Sequence, residues 1–253
     1  MEYIVSYNTD KGIRKSLNED ALLMKVDNTK EGRVALFAVA DGMGGLKQGD
    51  VASSTVIRGI NSWYEEELLK MLGEPHENIV DSLYEKINQL NEKILNYSRE
   101  NNVTLGTTLT ALLCLDNKYY ILHVGDSRVY KIKDNFEILT EDQTFVAREV
   151  KRGNITKDEA KIHPRRNVLL QCIGALENIE ILSYECVLES DSLFLLCSDG
   201  LHHELSDEEI IKFFNPLSNS PKDVMESNAI NIVELVKARG EKDNITILLI
   251  RVL

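Results

Sequence analysis

Carboxylates stand at one end of five apolar runs of the sequence. They are Asp41, Asp126, Asp199, Asp243 and the pair Glu19-Asp20. If these runs are neighbouring strands, the carboxylates converge, and their mutual repulsion requires a partner. A hard divalent cation with oxygen ligands is such a partner, so the pattern indicates a Mg²⁺ or Mn²⁺ site rather than a zinc site. Two such ions can activate a water and bind phosphoryl oxygens.

Each residue alone also has a simpler interpretation. Asp followed by Gly after an apolar run is a frequent turn signal, because the Asp side chain accepts hydrogen bonds from nearby backbone N–H groups. Asp41-Gly42 fits that signal, and Glu19-Asp20 fits a solvated strand start. These residues by themselves leave both interpretations open.

The apolar runs that place these carboxylates are typical of strands buried on at least one side. The predicted strands are 21–26, 34–40, 107–115, 119–125, 192–198 and 244–252. A hairpin is predicted where VYKIKD is followed by NFEIL, with its turn at Asp134-Asn135.

Apolar residues at three-to-four spacing predict the longer helices. The predicted helices are 51–72, 77–99, 207–214 and 222–238. Gly73 and Pro75 separate the first two, which we expect to form an antiparallel pair. Ser206 and Glu209 predict a capping box, and Gly240 predicts a helix end. The elements do not alternate as βαβα, which favours an α+β fold of antiparallel sheets with helices laid on them.

Composition narrows the function classes. The chain has 253 residues and a formal net charge of −12, which argues against non-specific nucleic-acid binding. No apolar run reaches the roughly 18 residues of a membrane span, and the N-terminal stretch has no basic-then-apolar pattern, so we expect no secretion. The cysteines are far apart in apolar surroundings, which argues against a zinc or dithiol site and favours a reducing cytoplasm. With no repeat or linker, we expect a single domain over 1–253.

A sequence segment of opposite charge interrupts this acidic chain. Residues 143–167 carry seven Lys or Arg against three Asp or Glu. Thr156 and Glu159 predict a helix start there, and Gly153 predicts an earlier helix end. The segment fits a basic flap beside an acidic site, and it fits solvated surface equally well.

Eight motifs in order make the combination specific. They are NEDA (18–21), VADGMGG (39–45), GDVAS (49–53), GTTLTALL (106–113), HVGDSRVY (123–130), GNITKDEAKIHPRRNVL (153–169), CSDGL (197–201) and DNIT (243–246). From about Asn8 to the C-terminus, the chain resembles the bacterial form of the metal-dependent type 2C protein phosphatase family. The resemblance implies a four-layer α-β-β-α sandwich of two antiparallel sheets flanked by helical pairs. It also implies hydrolysis of phosphoserine and phosphothreonine on proteins, with no covalent intermediate.

The resemblance assigns roles to the strand-end carboxylates. It implies that Asp41 bridges two Mg²⁺ or Mn²⁺ ions, that Gly42 supplies a backbone carbonyl to one, and that Asp199 and Asp243 hold the other. A water bridging the two ions would attack phosphorus in line. Asp41, Asp199 and Asp243 are therefore the expected catalytic residues.

Further residues receive supporting roles by the same resemblance. Glu19 and Asp20 would act at or just outside the second metal ion, partly through water. Asp126, together with Asp199, would bind a third and weaker ion. Asn244 would support the site as a neighbouring polar group.

Three departures from the family pattern stand out. Met43 replaces a His that is a candidate general acid in animal members, so a metal-bound water is expected to protonate the leaving oxygen. The position of the family's phosphate-binding Arg falls on Lys15, with Arg14 one residue away, so either residue is a candidate. The flap, about 143–170, opens with DQT (142–144) where DHS is usual, and no consequence of this difference follows from the sequence alone.

The histidines are expected to lie outside the ligand set. His123 is predicted to pack in the core, His163 to be structural, and His202 and His203 to lie in a loop. Phosphorylated proteins, and a Ser/Thr kinase whose action the enzyme opposes, are the partners that the resemblance implies, and we expect a monomer. The alternative is a phosphoprotein-binding module of the same fold without turnover. A nucleotide-using kinase or ATPase is disfavoured because the chain has no phosphate-binding Gly-rich loop.

Overall fold

The computed structural model describes residues 1–44, 48–215 and 221–253. Gly45, the last residue of the motif VADGMGG, lies outside these described residues. The strands are β1 (Tyr3–Asp10), β2 (Asp20–Thr29), β3 (Gly32–Gly44), β4 (Leu105–Thr107), β5 (Leu109–Leu115), β6 (Lys118–Val124), β7 (Arg128–Ile132), β8 (Phe136–Ile138), β9 (Leu182–Val187), β10 (Leu193–Cys197) and β11 (Ile245–Val252). The helices are α1 (Gly49–Trp63), α2 (Leu69–Met71), α3 (His76–Asn101), α4 (Phe145–Lys151), α5 (Lys157–Ile162), α6 (Asp199–His202), α7 (Asp207–Phe214) and α8 (Lys222–Arg239). A π-helical segment, Tyr64–Leu68, joins α1 to α2.

The strands in the described part of the chain form two antiparallel sheets. Sheet 1 has the order β1-β11-β10-β7-β8, and sheet 2 has the order β2-β3-β5-β6-β9, with β4 paired to β3 beside it. All the paired strands run antiparallel. Because neighbouring strands run antiparallel, the start of β2 lies beside the end of β3, and the start of β11 lies beside the end of β10.

The alternating side chains of β3 pack into two different layers. Phe37 and Val39 join an apolar cluster that includes Phe194 and Leu248 of sheet 1. Leu36 and its alternate neighbours join a second cluster, formed with α1 and α3. Since side chains of a strand point alternately to its two faces, a strand covered on both sides is apolar throughout. This explains why the run 34–40 has no polar alternation.

A third apolar cluster covers the outer face of sheet 1. Leu195 and Leu249 of that sheet pack with Phe214 of α7 and Ile232 of α8. The order of layers is therefore helices, sheet 2, sheet 1, helices, which confirms the predicted four-layer sandwich. The helices predicted at 51–72 and 77–99 share one outer layer, where the side chain of Leu90 packs against Gly59.

The ends of the helices follow the predicted signals. Capping boxes start α5 at Thr156 and α7 at Ser206, and Gly240 ends α8 in the left-handed conformation. Gly153 follows α4, also with a positive φ. None of the helices in the described residues is long and apolar enough to span a bilayer.

The predicted strand 107–115 is wrong in one respect, because it breaks at Thr108 into β4 and β5. β4 pairs with the last residues of β3, whereas β5 pairs with the middle of that strand. The break lies beside Asp41, and it gives the carbonyl and the N–H of that residue separate partners.

Candidate functional site

Asp20 and Asp41 face each other across two adjacent strands. They are register partners at the start of β2 and near the end of β3. Asp199 begins α6 directly after β10, and Asp243 precedes β11, so these two carboxylates come from sheet 1. The side chain of Ser198 donates a hydrogen bond of 2.8 Å to Oδ2 of Asp20, which joins the two sheets at this point. The structure thus brings the predicted carboxylates of both sheets to one edge of the sandwich.

The backbone of Asp41 is fixed by the break between β4 and β5. Its N–H donates to Oγ1 of Thr108 at 2.9 Å. Its carbonyl accepts from the hydroxyl of Thr107 and from the N–H of Thr108, both at 2.9 Å. The Thr108 hydroxyl also pairs with Oγ of Ser127 at 2.9 Å, and all three hydroxyl residues are fully buried. The hydrogen bonds that fix the Asp41 backbone therefore use neither oxygen of its side chain.

Burial, and then the charges of neighbouring groups, shift the pKa values of several of these carboxylates. Burial, and then the charge of Asp20, raises the pKa of Asp41 well above its usual range. Burial raises the pKa of Asp20 to about 7, although hydrogen bonds from Thr246 and Ser198 oppose the rise; the charges of Asp199 and Asp243 add smaller contributions to it. Burial also raises the pKa of Asp199, whose carboxyl lies within hydrogen-bonding reach of Asp41. Asp20, Asp41 and Asp199 therefore hold protons more readily than isolated carboxylates do, unless cations neutralise their charge.

Two oxygens of this group have no hydrogen-bond partner among the described residues. Oδ1 of Asp20 and Oδ1 of Asp199 are buried and accept no hydrogen bond. An unpaired buried carboxylate oxygen is unfavourable in the absence of a ligand. The residues present therefore fit hard divalent cations, which prefer such oxygens. Within the described residues, no three acidic, His or Cys side chains close around an ion position.

Glu19 and the two glycines that face it form the wall of the site toward α1. Oε1 of Glu19 accepts from the N–H of Gly49 at 3.1 Å, at the first residue of α1, and its carbonyl accepts from Ser53 at 2.6 Å. A Cβ on Gly42 would lie 2.2 Å from the carbonyl oxygen of Gly49 and 2.5 Å from that of Glu19. Both glycines are therefore required by close backbone contact. Glu19 lies beside the site, as predicted, with its side chain engaged by protein groups.

Asn244 ties the loop between β1 and β2 to the site. Its Oδ1 accepts from the N–H of Glu19 at 2.9 Å, and its Nδ2 donates to the carbonyls of Lys11 and Leu17 at 3.0 and 3.1 Å. A Cβ on Gly12 would lie 2.1 Å from the carbonyl oxygen of Asp243, so the loop rests directly on the strand that carries that ligand candidate. Asn244 is fully buried, so these hydrogen bonds are shielded from water.

The structure places Lys15, and not Arg14, among the carboxylates. Nζ of Lys15 lies 2.9 Å from Oδ1 of Asp243 and 3.1 Å from Oε2 of Glu19. Partial burial lowers the pKa of Lys15, but the hydrogen bonds to these two carboxylates outweigh it and raise the pKa above its usual value. Arg14 is exposed, and no described residue forms a hydrogen bond or ion pair with it.

Asp126 lies in a buried turn after β6, two residues before Arg128, which is paired with Asp142. Burial, and then the charge of Asp199, raises the pKa of Asp126 well above its usual range. His202 is the last residue of α6 and its Nε2 contacts the carbonyl of Asp126 at 3.1 Å, so the prediction that His202 lies in a loop is wrong. Nδ1 of His203 lies 3.8 Å from Oδ2 of Asp199.

Two further residues with predicted positions are His123 and Met43. His123 is fully buried between Thr110 and the carbonyl of Glu141, as predicted. Met43 has its sulfur 3.6 Å from Sγ of Cys172 and carries no acidic proton. Met43 lies in β3, two residues after Asp41.

Apart from Asn244, four neutral residues that hold the site were not predicted from the sequence. They are Thr107, Thr108, Ser127 and Ser198. The motif GTTLTALL contains two of them, but a Thr pair inside an apolar run is also typical of an ordinary strand. Only their partners across the break in that run reveal their role.

Comparisons with known proteins give a consistent result. Residues 11–232 match a family model described as protein phosphatase 2C. The chain is 34% identical to the serine/threonine phosphatase stp of Listeria monocytogenes serotype 4b, over 96% of this chain and 94% of that protein. It is similar in structure to a serine/threonine phosphatase of S. agalactiae, with a TM-score of 0.87, 29% identity and all of both chains covered. It is also similar to the catalytic domain of the serine/threonine protein phosphatase PstP in complex with two manganese ions, with a TM-score of 0.81 and 29% identity over 99% of this chain and 98% of that one.

Proposed function

We propose, since this chain belongs to the protein phosphatase 2C family, that Asp41, Asp199 and Asp243 form the metal centre of the enzyme. The chain is a metal-dependent protein serine/threonine phosphatase that uses two Mg²⁺ or Mn²⁺ ions. The observation that carries the residue assignment is the convergence of carboxylates from both sheets, with buried oxygens of Asp20 and Asp199 left without partners. Gly42, Glu19 and Asp20 complete the proposed metal site, and Asp126 is proposed for a third, weaker ion.

When bound, the ions supply a nucleophilic water and neutralise charge on the phosphoryl oxygens. The protein holds the surrounding groups in place. Thr107 and Thr108 fix the backbone of Asp41, so its carboxylate is preorganised. Lys15 places a cation at the edge of the carboxylate group, where a phosphate bound nearby gains a charged hydrogen-bond donor. Because Met43 has no ionisable proton, the leaving serine or threonine oxygen takes its proton from water.

The test is hydrolysis of p-nitrophenyl phosphate and of a phosphothreonine peptide with added Mn²⁺. Asp41→Asn and Asp199→Asn are expected to abolish turnover of both substrates. Asp81→Asn, on the exposed face of α3, serves as the matched control and should retain wild-type turnover, since Asp81 is exposed and lies outside the flap segment. Wild-type activity that persists undiminished in EDTA would contradict the proposal, as would an Asp41→Asn variant as active as the wild type.

The substrates are phosphorylated proteins. We propose further that the enzyme is a monomer in the cytoplasm and reverses the action of a Ser/Thr kinase. The buried free thiols of Cys114, Cys172 and Cys197 suit a reducing compartment. Residues 143–170, the flap segment, are proposed to face the substrate. Phosphoproteomics of cells with the wild-type protein or with Asp41→Asn tests the opposition to a kinase, because a kinase substrate of this enzyme should gain phosphate only when turnover is lost.

A further inference from the structure

Gln143 joins the start of the flap segment to two other parts of the chain. Its backbone N–H donates to the carbonyl of Gly125 at 2.8 Å, and its Oε1 accepts from the N–H of Gly125 at 2.7 Å. Its Nε2 donates to the carbonyl of Glu180 at 2.9 Å, and its own carbonyl accepts from Leu170 at 2.8 Å. The residue is buried, with 8% of its surface exposed. One side chain thus links the turn before Asp126, the flap segment and the residues that precede β9.

Gly125 passes this contact on toward the metal centre. Its φ is +115°, and a Cβ there would lie 2.5 Å from Cγ2 of Thr108, so the Gly125 backbone packs directly on that threonine. The Thr108 hydroxyl accepts from the N–H of Asp41 and pairs with Ser127, both at 2.9 Å. A continuous set of contacts therefore runs from Gln143 through Gly125 and Thr108 to the backbone of Asp41.

A second link holds the same two segments together. Arg128, two residues beyond Asp126, forms a paired hydrogen bond with Asp142, with Nε–Oδ1 at 2.8 Å and Nη2–Oδ2 at 2.7 Å. Asp142 directly precedes Gln143. The charged pair strengthens the link between the turn that contains Asp126 and the start of the flap segment. The Gln143 amide determines how the Gly125 turn packs against Thr108.

We propose that Gln143 is a positioning residue that couples the flap segment to the metal centre. Its amide holds the turn of Gly125 and Asp126 against Thr108, and so fixes Asp126 and the Asp41 backbone in the arrangement that binds metal. This inference rests on the proposed function of those two aspartates. A residue that orients metal ligands from outside the ligand set typically changes metal affinity when it is removed.

The role requires one acceptor and one donor at the end of the side chain. The amide of Gln supplies Oε1 and Nε2 for Gly125 and Glu180. Met has nearly the same shape and lacks strong hydrogen-bonding groups, while a neutral imidazole offers one acceptor and one donor. At pH 8 a His side chain is mostly neutral, so Gln143→His should preserve the two contacts that Gln143→Met removes.

The experiment measures Mn²⁺ binding by calorimetry at pH 8, together with the thermal unfolding of each variant in EDTA. Gln143→Met is expected to weaken Mn²⁺ binding by about 10- to 100-fold, with Gln143→His close to the wild type. Gln171→Met is the matched control, because Gln171 also bonds Glu180, through the N–H of that residue at 3.0 Å, yet forms no hydrogen bond with Gly125. It should leave Mn²⁺ affinity unchanged.

A merely structural role for Gln143 would lower the unfolding temperature and leave the Mn²⁺ affinity of the folded protein intact, and that result overturns the inference. If Gln143→Met does not fold, Gln143→Asn replaces it, since its shorter amide does not span both partners. A wild-type protein that binds Mn²⁺ but hydrolyses no phosphopeptide contradicts the proposed function alone. A Gln143→Met variant, or its Asn replacement, with wild-type Mn²⁺ affinity contradicts this inference alone.

Discussion

Replacing Asp20 with Asn is expected to stabilise the metal-free protein at pH 8. Burial, and then repulsion from Asp199 and Asp243, raises the pKa of Asp20 from 3.8 to about 7, although hydrogen bonds from Ser198 and Thr246 oppose the rise. The charged form of this residue is therefore unfavourable in the folded chain. Asn keeps the shape of the side chain and removes the charge.

The size of the effect follows from the pKa difference. The folded protein holds a proton on Asp20 that the unfolded chain releases above about pH 4, so the folded state loses stability as pH rises from about 4 through 7. At about 1.4 kcal/mol for each pKa unit, the rise from 3.8 to about 7 corresponds to about 4 kcal/mol. Because neighbouring aspartates share protons with Asp20, we expect about 2 to 4 kcal/mol at pH 8.

The assay is urea unfolding followed by circular dichroism, in EDTA, at intervals from pH 5 to pH 8. The free energy of unfolding of Asp20→Asn should exceed that of the wild type at pH 8, and the difference should shrink toward pH 5. Asp158→Asn, at an exposed position, controls for the loss of a charge. Added Mn²⁺ should stabilise the wild type more than Asp20→Asn, since the ion neutralises the carboxylate that the variant lacks. A difference that stays constant over this pH range, or a variant less stable than the wild type at pH 8, would refute the reasoning.

Three further substitutions probe the site. Lys15→Met should lower kcat/KM for a phosphopeptide by about 10- to 100-fold, because one charge-assisted hydrogen bond is lost. Arg14→Met should change kcat/KM by no more than about twofold, as for an ordinary surface residue. Equal effects of the two substitutions in steady-state kinetics would contradict the placement of Lys15. Gly42→Ala should lower the free energy of unfolding by about 1 to 3 kcal/mol or more and abolish activity, because its Cβ would lie 2.2 Å from a backbone oxygen. Urea unfolding at the wild-type midpoint would contradict this, because it would show that the backbone shifts to accommodate the Cβ. Thr108→Val should destabilise the protein by about 1 to 3 kcal/mol, because it leaves the N–H of Asp41 without its acceptor, and a variant with wild-type stability and activity would exclude that role.

The strand-end carboxylates could be located from the sequence because the runs they end are so apolar. β3, β10 and β11 are covered on both faces, and such strands read as continuous apolar segments. β1 and β9 were not predicted, because they lie at sheet edges and mix polar with apolar residues. α6 was also missed, since its four residues are too few to show a helical period.

The consequence of DQT at 142–144 illustrates why other features of the site could not be predicted. The sequence shows that Gln143 replaces the family's usual His, but not that its amide joins Gly125 to Glu180. Those partners are 18 and 37 residues away along the chain. The choice between Lys15 and Arg14 likewise depends on how the loop between β1 and β2 rests on Asp243, which no local pattern records.

Neutral residues, rather than carboxylates, hold the backbone of Asp41 and the loop between β1 and β2 in this site. The hydroxyls of Thr107 and Thr108 fix the backbone of Asp41, and Asn244 fixes the loop that carries Lys15. If carboxylates held the backbone instead, their oxygens would be occupied and unavailable to cations. Among the described residues, the Oδ1 atoms of Asp20 and Asp199 have no hydrogen-bond partner and remain available to cations. The instability that this leaves in the metal-free protein is the same free energy that cation binding recovers, so metal affinity and the pH-dependent stability of the metal-free protein should change together in variants of these residues.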